Sequence, residues 1–136
     1  MGRLDDCFAT YDAVLSLEPN HIVALNNYAY YLSLIDKRLD DAERMSSKTI
    51  SAEPQNPTYL DTYAWVLYKK GKYSNALLMM EAAINNSTEP SAELYEHYGR
   101  ILKALNEDEN AVIQFKKAYE LDPGRKYLIP LMQDAK

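Results

Sequence analysis

The sequence predicts an all-α protein in which antiparallel helix pairs stack into a right-handed α-solenoid. Landmark residues recur about every 35 residues, which is the period of a repeated helical pair. Apolar residues between the landmarks have helical spacing, and glycine occurs only four times in 136 residues. The recurring positions are Tyr28-Ala29, Tyr63-Ala64 and Tyr98-Gly99, the small residues Cys7, Ala42, Ala76 and Ala111, and the prolines Pro19, Pro54 and Pro123.

These landmarks divide the chain, taken as a single domain over residues 1–136, into helices in a fixed order. Residues 3–17 are predicted to form the second helix of a truncated repeat, and full repeats follow at 21–52, 57–86 and 90–121. The segment 125–134 is predicted to be a C-terminal capping helix, with Pro130 in its first turn or limiting its length. Because the opening helix has no first helix before it, we expect the chain to be the C-terminal part of a longer solenoid.

The predicted helix ends carry residues that suit them. Asn20 is a good N-cap for the first helix of the 21–52 repeat, and Asn56 precedes Pro57, which suits a first helical position. Gly71 is a natural stop for the helix that begins at Pro57. Acidic residues open the second helices, where carboxylates favour the positive end of the helix dipole. They are Asp5-Asp6, Asp40-Asp41 and Glu107-Asp108-Glu109.

The same landmarks resemble those of the tetratricopeptide repeat (TPR) family, whose pattern is W-x₂-L-G-x₂-Y, then A-x₃-F, then P. The resemblance covers nearly the whole chain, from Leu4 to about Pro123. Ser46 departs from the phenylalanine place of the pattern, and Thr88 replaces a proline. Membership of this family, as a fragment of a bacterial-type TPR protein, implies a superhelix of helix pairs. It also implies that the first helices line a concave wall.

Composition and charge weigh against several functional classes. A formal charge of −5 argues against a phosphate-binding or RNA-reading surface, although pentatricopeptide RNA readers share the repeat length. No apolar run approaches the roughly 18 residues of a membrane-spanning helix, and charged residues interrupt the N-terminus where a signal peptide would be apolar. We expect a soluble protein without direct membrane insertion. The sequence does not decide between cytoplasm and periplasm, because a targeting signal can lie outside this segment.

No motif indicates catalysis, a cofactor or a metal. The chain has no glycine-rich phosphate loop and no zinc-ligand spacing, and no histidine or cysteine completes a metal shell beside the acidic pairs. Cys7 could be a nucleophile, but it occupies the place that alanine occupies in the other repeats, so we expect it to be buried in packing. The prediction is therefore a non-enzyme with no catalytic residue, metal ligand or cofactor.

Side chains of the first helices that point away from the core form the candidate binding wall. In the aromatic stretch 59–73, helical spacing places Tyr63 with the core and Trp65 on roughly the opposite side. Two interpretations of Trp65 stay open. It either anchors an apolar side chain of a bound segment or seals the repeats by stacking with Tyr30 and Arg100. The candidate groove residues are Asn26, Asn27, Tyr30, Asp61, Thr62, Trp65, Tyr68, Glu96, His97 and Arg100.

This wall predicts a non-catalytic scaffold that binds a peptide or helix of another protein in the concave groove. Asp61, Glu93 and Glu96 make the wall acidic, which favours a partner with basic and apolar residues. The same acidity argues against a basic clamp for a peptide carboxylate. The alternative is a structural segment of a longer solenoid, or one that forms a homodimer through the uncovered face of its first helix. We do not expect nucleic acid as a partner.

Overall fold

The computed structural model describes residues 3–133, which form eight α-helices joined by short turns. Within this range there is no strand, so the predicted all-α class is confirmed. No helix in the same range is both long and apolar enough to cross a membrane. The helices are α1 (Arg3–Leu17), α2 (Ile22–Leu34), α3 (Leu39–Ala52), α4 (Pro57–Lys69), α5 (Tyr73–Asn85), α6 (Ala92–Ala104), α7 (Asp108–Leu121) and α8 (Leu128–Met132).

The helices pair along the chain, α2 with α3, α4 with α5 and α6 with α7, while α1 packs on α2 and α8 on α7. The first helices of the pairs, α2, α4 and α6, also contact one another in succession. Between residues 3 and 133, by contrast, no second helix (α3, α5 or α7) contacts another second helix. The first helices therefore lie on the inner side of the stack, and the second helices spread apart on the outer side.

Small residues set the distance between the two helices of each pair. Ala42, Ala76 and Ala111 on the second helices are buried, and so are Ala29 and Ala64 on the first helices that face them. Short side chains at these contacts let the helix axes approach closely. The core consequently runs along the whole stack, and each repeat depends on its neighbours for burial.

Two helix ends in the second repeat follow the sequence prediction. The side-chain oxygen of Asn56 accepts hydrogen bonds from two backbone N–H groups of the first turn of α4, at 2.9 and 3.2 Å, and Pro57 is the first residue of that helix. The helix ends at Lys69, and Gly71 follows with a φ of +81°. This left-handed conformation favours glycine, which explains why the chain turns there.

The predicted cap of α2 is wrong by one residue. His21, rather than Asn20, is the N-cap, and its Nδ1 accepts a hydrogen bond from the Ala24 N–H at 3.2 Å. His21 has the extended backbone, with φ −70° and ψ 101°, that a capping residue requires. Asn20 lies in the preceding turn, one residue too early for its side chain to cap the helix.

The C-terminal helix is shorter than the predicted 125–134. It spans Leu128–Met132, with Pro130 as its third residue, and residues 123–127 form turns instead. Arg125 and Tyr127 in these turns donate hydrogen bonds to Glu96 of α6, which holds them out of a helix. Position 134 of the predicted helix lies outside the described residues.

Cys7 is exposed, so the expectation of a buried packing role is wrong. Its equivalents Ala42, Ala76 and Ala111 are buried because the first helix of their own pair covers them. In the described part of the chain, α1 packs on α2 alone, and no helix covers its other side. The side of α1 that contains Cys7 therefore meets solvent.

Candidate functional site

The ten candidate groove residues lie on α2, α4 and α6, but at different depths. Five of them are buried and five are half-buried. The buried residues are Asn26, Thr62, Trp65, Glu96 and His97. The half-buried residues are Asn27, Tyr30, Asp61, Tyr68 and Arg100.

Trp65 is only 8% exposed, so its interpretation as an exposed anchor is wrong. Its ring stacks on His97 with centroids 3.9 Å apart and on Tyr68 with centroids 4.6 Å apart. The sealing interpretation therefore describes Trp65 better, although its partners differ from the predicted Tyr30 and Arg100. His97 comes from α6 of the next repeat and covers the indole, which the helical angle of Trp65 alone does not reveal. The indole N–H is buried and donates to no described residue.

Hydrogen bonds tie the first helices together across the repeats. Nδ1 of His97 lies 2.8 Å from Oδ1 of Asp61, which joins α6 to α4. The Tyr30 hydroxyl donates to Oε2 of Glu93 at 2.9 Å, and this bond joins α2 to α6 past the intervening α4. Burial raises the pKa of Tyr30, and the hydrogen bond to Glu93 and the charges of Glu93 and Asp61 raise it further. The neutral Tyr30 hydroxyl thus positions Glu93 without neutralising its charge.

Glu96 is occupied by the C-terminal segment of the same chain. Arg125 Nη1 and the Tyr127 hydroxyl each donate to Glu96 Oε1 at 2.7 Å, and Arg100 Nε donates to Oε2 at 3.0 Å. Burial opposes ionisation of Glu96, but these three donors lower the pKa of its carboxyl below the ordinary value. Since two guanidinium groups already pair with Glu96, the expectation that this residue attracts a basic partner is wrong. The equivalent positions in the preceding repeat are Pro90 and Ala92, so the repeat pattern did not mark Arg125 and Tyr127 as partners of Glu96.

Asn26 and Thr62 lie below the surface of the wall, at 6% and 5% exposure. Oδ1 of Asn26 is buried and accepts no hydrogen bond within the described chain. Asn27 is half-buried. Asn26 and Thr62 therefore expose little surface to a ligand.

An anionic pocket of about 270 Å³ opens beside the tied helices, at the N-terminal ends of α4 and α6. Its carboxylates are those of Asp61, Glu89 and Glu93. Glu89 is exposed in the turn before α6, and none of the described cations pairs with it. The pocket therefore contains a carboxylate without a cationic partner, whereas the charge of Glu96 is paired with two guanidinium groups. The repeat pattern missed Glu89 because its equivalents in the other turns, Asn20, Gln55 and Gly124, are uncharged.

The third helix pair carries a family match. Residues 92–125, which comprise α6, α7 and the following turn, match the model described as tetratricopeptide repeat. Among curated proteins, the TPR repeat-containing protein PA4667 of Pseudomonas aeruginosa (strain PAO1) is 28% identical over 86 residues. The match covers 63% of this chain and 14% of that protein, so the chain corresponds to a small part of a longer relative.

Solved structures share the fold at low sequence identity. The crystal structure of MamA superposes with a TM-score of 0.75 at 18% identity, covering 90% of this chain and 70% of MamA. YrrB, described as a TPR protein with an unusual peptide-binding site, gives a TM-score of 0.74 at 19% identity, covering 90% of this chain and 62% of YrrB. At such identities the likeness establishes the fold, which is a stack of TPR helix pairs.

Proposed function

We propose that this chain, which belongs to the tetratricopeptide repeat family, is a non-catalytic module that holds a peptide or helix of another protein against α2, α4 and α6. The observation that carries the proposal is the bond between Tyr30 and Glu93, which links the first full repeat to the third. With the contact of His97 and Asp61, this bond makes the wall pre-formed, so binding requires little ordering of the protein. The peptide-binding site of the structural neighbour YrrB supports a peptide as the ligand class.

The half-buried side chains of the wall are the groups that a bound segment would contact. Tyr30 and Tyr68 offer ring surface with a polar tip, a combination that is enriched in binding hot spots. Trp65 stacks beneath Tyr68 and stiffens it, and so acts as a support for the contact surface. Arg100 is oriented by Glu96 yet keeps 32% of its side chain exposed, so it can donate to carbonyl groups of the partner.

The anionic pocket gives the bound segment a direction. A lysine or arginine of the partner would enter the pocket of Asp61, Glu89 and Glu93, while a neighbouring apolar residue contacts Tyr68. This proposal retains a basic and apolar partner, but it moves the basic contact from Glu96 to the pocket. The charge that attracts the partner is therefore located at one end of the wall.

A displayed library of random peptides tests the proposal, followed by titration of the selected peptides. Trp65 is the only tryptophan of the chain and lies beneath the wall surface, so its fluorescence reports binding there. We expect the selected peptides to contain a lysine or arginine beside an apolar residue and to change the Trp65 emission. Glu89→Lys should weaken binding by about tenfold or more through charge reversal at an exposed position.

Glu120→Lys provides the matched control, because Glu120 is an exposed glutamate on α7 away from the wall. It carries the same change of charge and should bind as the starting protein does. Equal weakening by the variants at Glu89 and Glu120 would contradict the proposal. So would selected peptides that leave Trp65 emission unchanged, or a library that contains no binder.

Self-association is a second candidate function, favoured by the uncovered side of α1. Cys7 is exposed and Val14 is half-buried, whereas their equivalents Ala42 and Thr49 are fully buried. A second copy could cover this side of α1. Sedimentation would then show a dimer that Val14→Glu disrupts, and a monomer at all protein concentrations would contradict this candidate.

A further inference from the structure

A groove of about 490 Å³ lies on the outer side of the stack, between α5 and α7 and above α6. We call it the outer trough. Its floor is apolar and consists of Leu77, Leu102, Leu105 and the ring of Tyr98. Leu77 and Leu105 pack on the core at its edge and remain only half-buried. The outer trough thus offers apolar surface on the side of the stack opposite the inner wall.

The rim of the outer trough carries hydrogen-bond acceptors. Glu81 on α5 and Glu107 at the start of α7 are exposed carboxylates, and no cation from the described residues pairs with either. The partner of Glu107 is the neutral side chain of Asn110, at 3.2 Å. Oε1 of Gln114 is buried and accepts no hydrogen bond from the described chain. Burial raises the pKa of Tyr98 and the charge of Glu81 adds to this effect, so that charge is felt at the floor.

The preceding junction, between the first and second full repeats, shows what fills the equivalent place elsewhere in the chain. There, Lys70 Nζ lies 2.6 Å from Oδ1 of Asp40 and 2.5 Å from Oε1 of Glu43. Lys72 Nζ lies 3.2 Å from Oε2 of Glu43. The ammonium groups that follow α4 therefore latch onto the carboxylates of α3.

One repeat later, the described residues form no such latch. The repeat register places Leu105 at the equivalent of Lys70 and Glu107 at the equivalent of Lys72. Leu77 stands at the equivalent of Glu43, so the carboxylate that received the lysines has become apolar floor. A carboxylate thus occupies the position of an ammonium group, and no cation from residues 3–133 closes this junction as Lys70 and Lys72 close the earlier one.

We propose that the outer trough is a second docking site, which takes an arginine or lysine side chain of a partner polypeptide. The aliphatic part of that side chain would lie on Leu77 and Leu105, as such stems commonly cover apolar surface. Its charged head would meet the exposed carboxylates of Glu81 and Glu107. Arginine fits this arrangement better than lysine, because its planar group presents several donors in fixed directions. The site does not depend on the function proposed for the inner wall.

The probe is the blocked peptide acetyl-Ala-Leu-Arg-Leu-Ala-amide, titrated into isotope-labelled protein and followed by NMR. A second peptide has citrulline in place of arginine, which keeps the shape but removes the charge. The arginine peptide should shift the side-chain amide of Gln114 and the methyl groups of Leu77 and Leu105, and the citrulline peptide should not. Glu107→Lys introduces the charge found at the equivalent Lys72 and should weaken binding by about tenfold or more.

Glu109→Lys is the matched control, because Glu109 is exposed on the same turn of α7 but does not line the outer trough. It should bind the arginine peptide as the starting protein does. Should the lysine variant at position 107 fail to fold, Glu107→Gln removes the charge with less change and should also weaken binding.

Several outcomes would overturn the proposal. Equal binding of the arginine and citrulline peptides would show that charge does not matter. Equal affinities of the variants at Glu107 and Glu109 would show that only overall charge matters. Shifts confined to Trp65 and its neighbours would assign the peptide to the inner wall. Outer-trough signals that move with protein concentration, without peptide, would identify a second copy as the occupant.

Discussion

Gly99 lies against Phe115 more closely than a side chain at position 99 would permit. A Cβ atom there would be 2.6 Å from Cε1 and 2.7 Å from Cδ1 of Phe115, whereas carbon atoms attract best at about 3.5–4.0 Å. Phe115 is fully buried, so its ring cannot turn aside without displacing its neighbours. Overpacking of this kind costs about 1–3 kcal/mol, and the better helix propensity of alanine offsets up to about 1 kcal/mol. We expect Gly99→Ala to lose about 1–2 kcal/mol of unfolding free energy on balance.

The second repeat provides the compensating change, since its equivalent residues are Ala64 and Met80, both buried. The double variant Gly99→Ala/Phe115→Met reproduces that pair and should be more stable than the sum of its single changes by about 1 kcal/mol or more. Urea unfolding followed by circular dichroism, on both single variants and the double variant, measures this coupling. A Gly99→Ala protein as stable as the starting protein, or strict additivity in the double variant, would refute the reasoning.

Three further predictions concern aromatic burial, pH dependence and local stability. Trp65→Ala should lower the unfolding free energy by about 3–5 kcal/mol and Tyr63→Ala by only about 1–3 kcal/mol, because the ring of Trp65 is the more buried. A larger loss for Tyr63→Ala in urea unfolding would contradict this order. The hydrogen bond from Lys70 lowers the pKa of the Glu43 carboxyl, and burial opposes this shift. The Lys70–Glu43 pair therefore stabilises the fold at pH values above 4.5, the ordinary pKa of glutamate, and this stabilisation is lost as the pH falls through the lowered pKa of the folded protein. The Glu43→Gln variant should therefore lose less unfolding free energy than the starting protein as the pH is lowered. The same dependence of unfolding free energy on pH in the variant and the starting protein would count against this prediction. Hydrogen exchange should be faster in Arg3–Leu17 than in α4, because α1 packs on α2 alone, and equal protection in a proven monomer would exclude this.

The repeat period placed the helices well because many landmarks determine it together. α1 spans the predicted residues 3–17, and α4 begins at the predicted Pro57. The prediction failed at the ends of the C-terminal helix, although its Leu128 falls in register with Leu60 and Leu94 of the earlier first helices. Its start is set by the tertiary hydrogen bonds of Arg125 and Tyr127 to Glu96, and these bonds have no local pattern in the sequence.

The depth of individual side chains was harder to predict than their direction. Helical spacing assigned Tyr63 to the core and Trp65 to the groove, but Trp65 is the more buried of the two because His97 of the next repeat covers the indole. The prediction that Cys7 is buried was wrong for the opposite reason, because no described helix covers its side of α1. In a solenoid, the neighbouring repeat decides which side chains are buried, so the sequence pattern of one helix is not enough to predict their burial.

The inner wall of α2, α4 and α6 is proposed to receive a segment of a partner protein. NMR chemical shifts, mapped with a peptide selected from the random library, locate the bound segment on the protein. We expect the largest shifts at Tyr30, Tyr68 and Glu89, and smaller shifts on the outer faces of α3, α5 and α7, including the outer trough. Largest shifts on those outer faces, or no localised shifts with any selected peptide, would contradict this proposal.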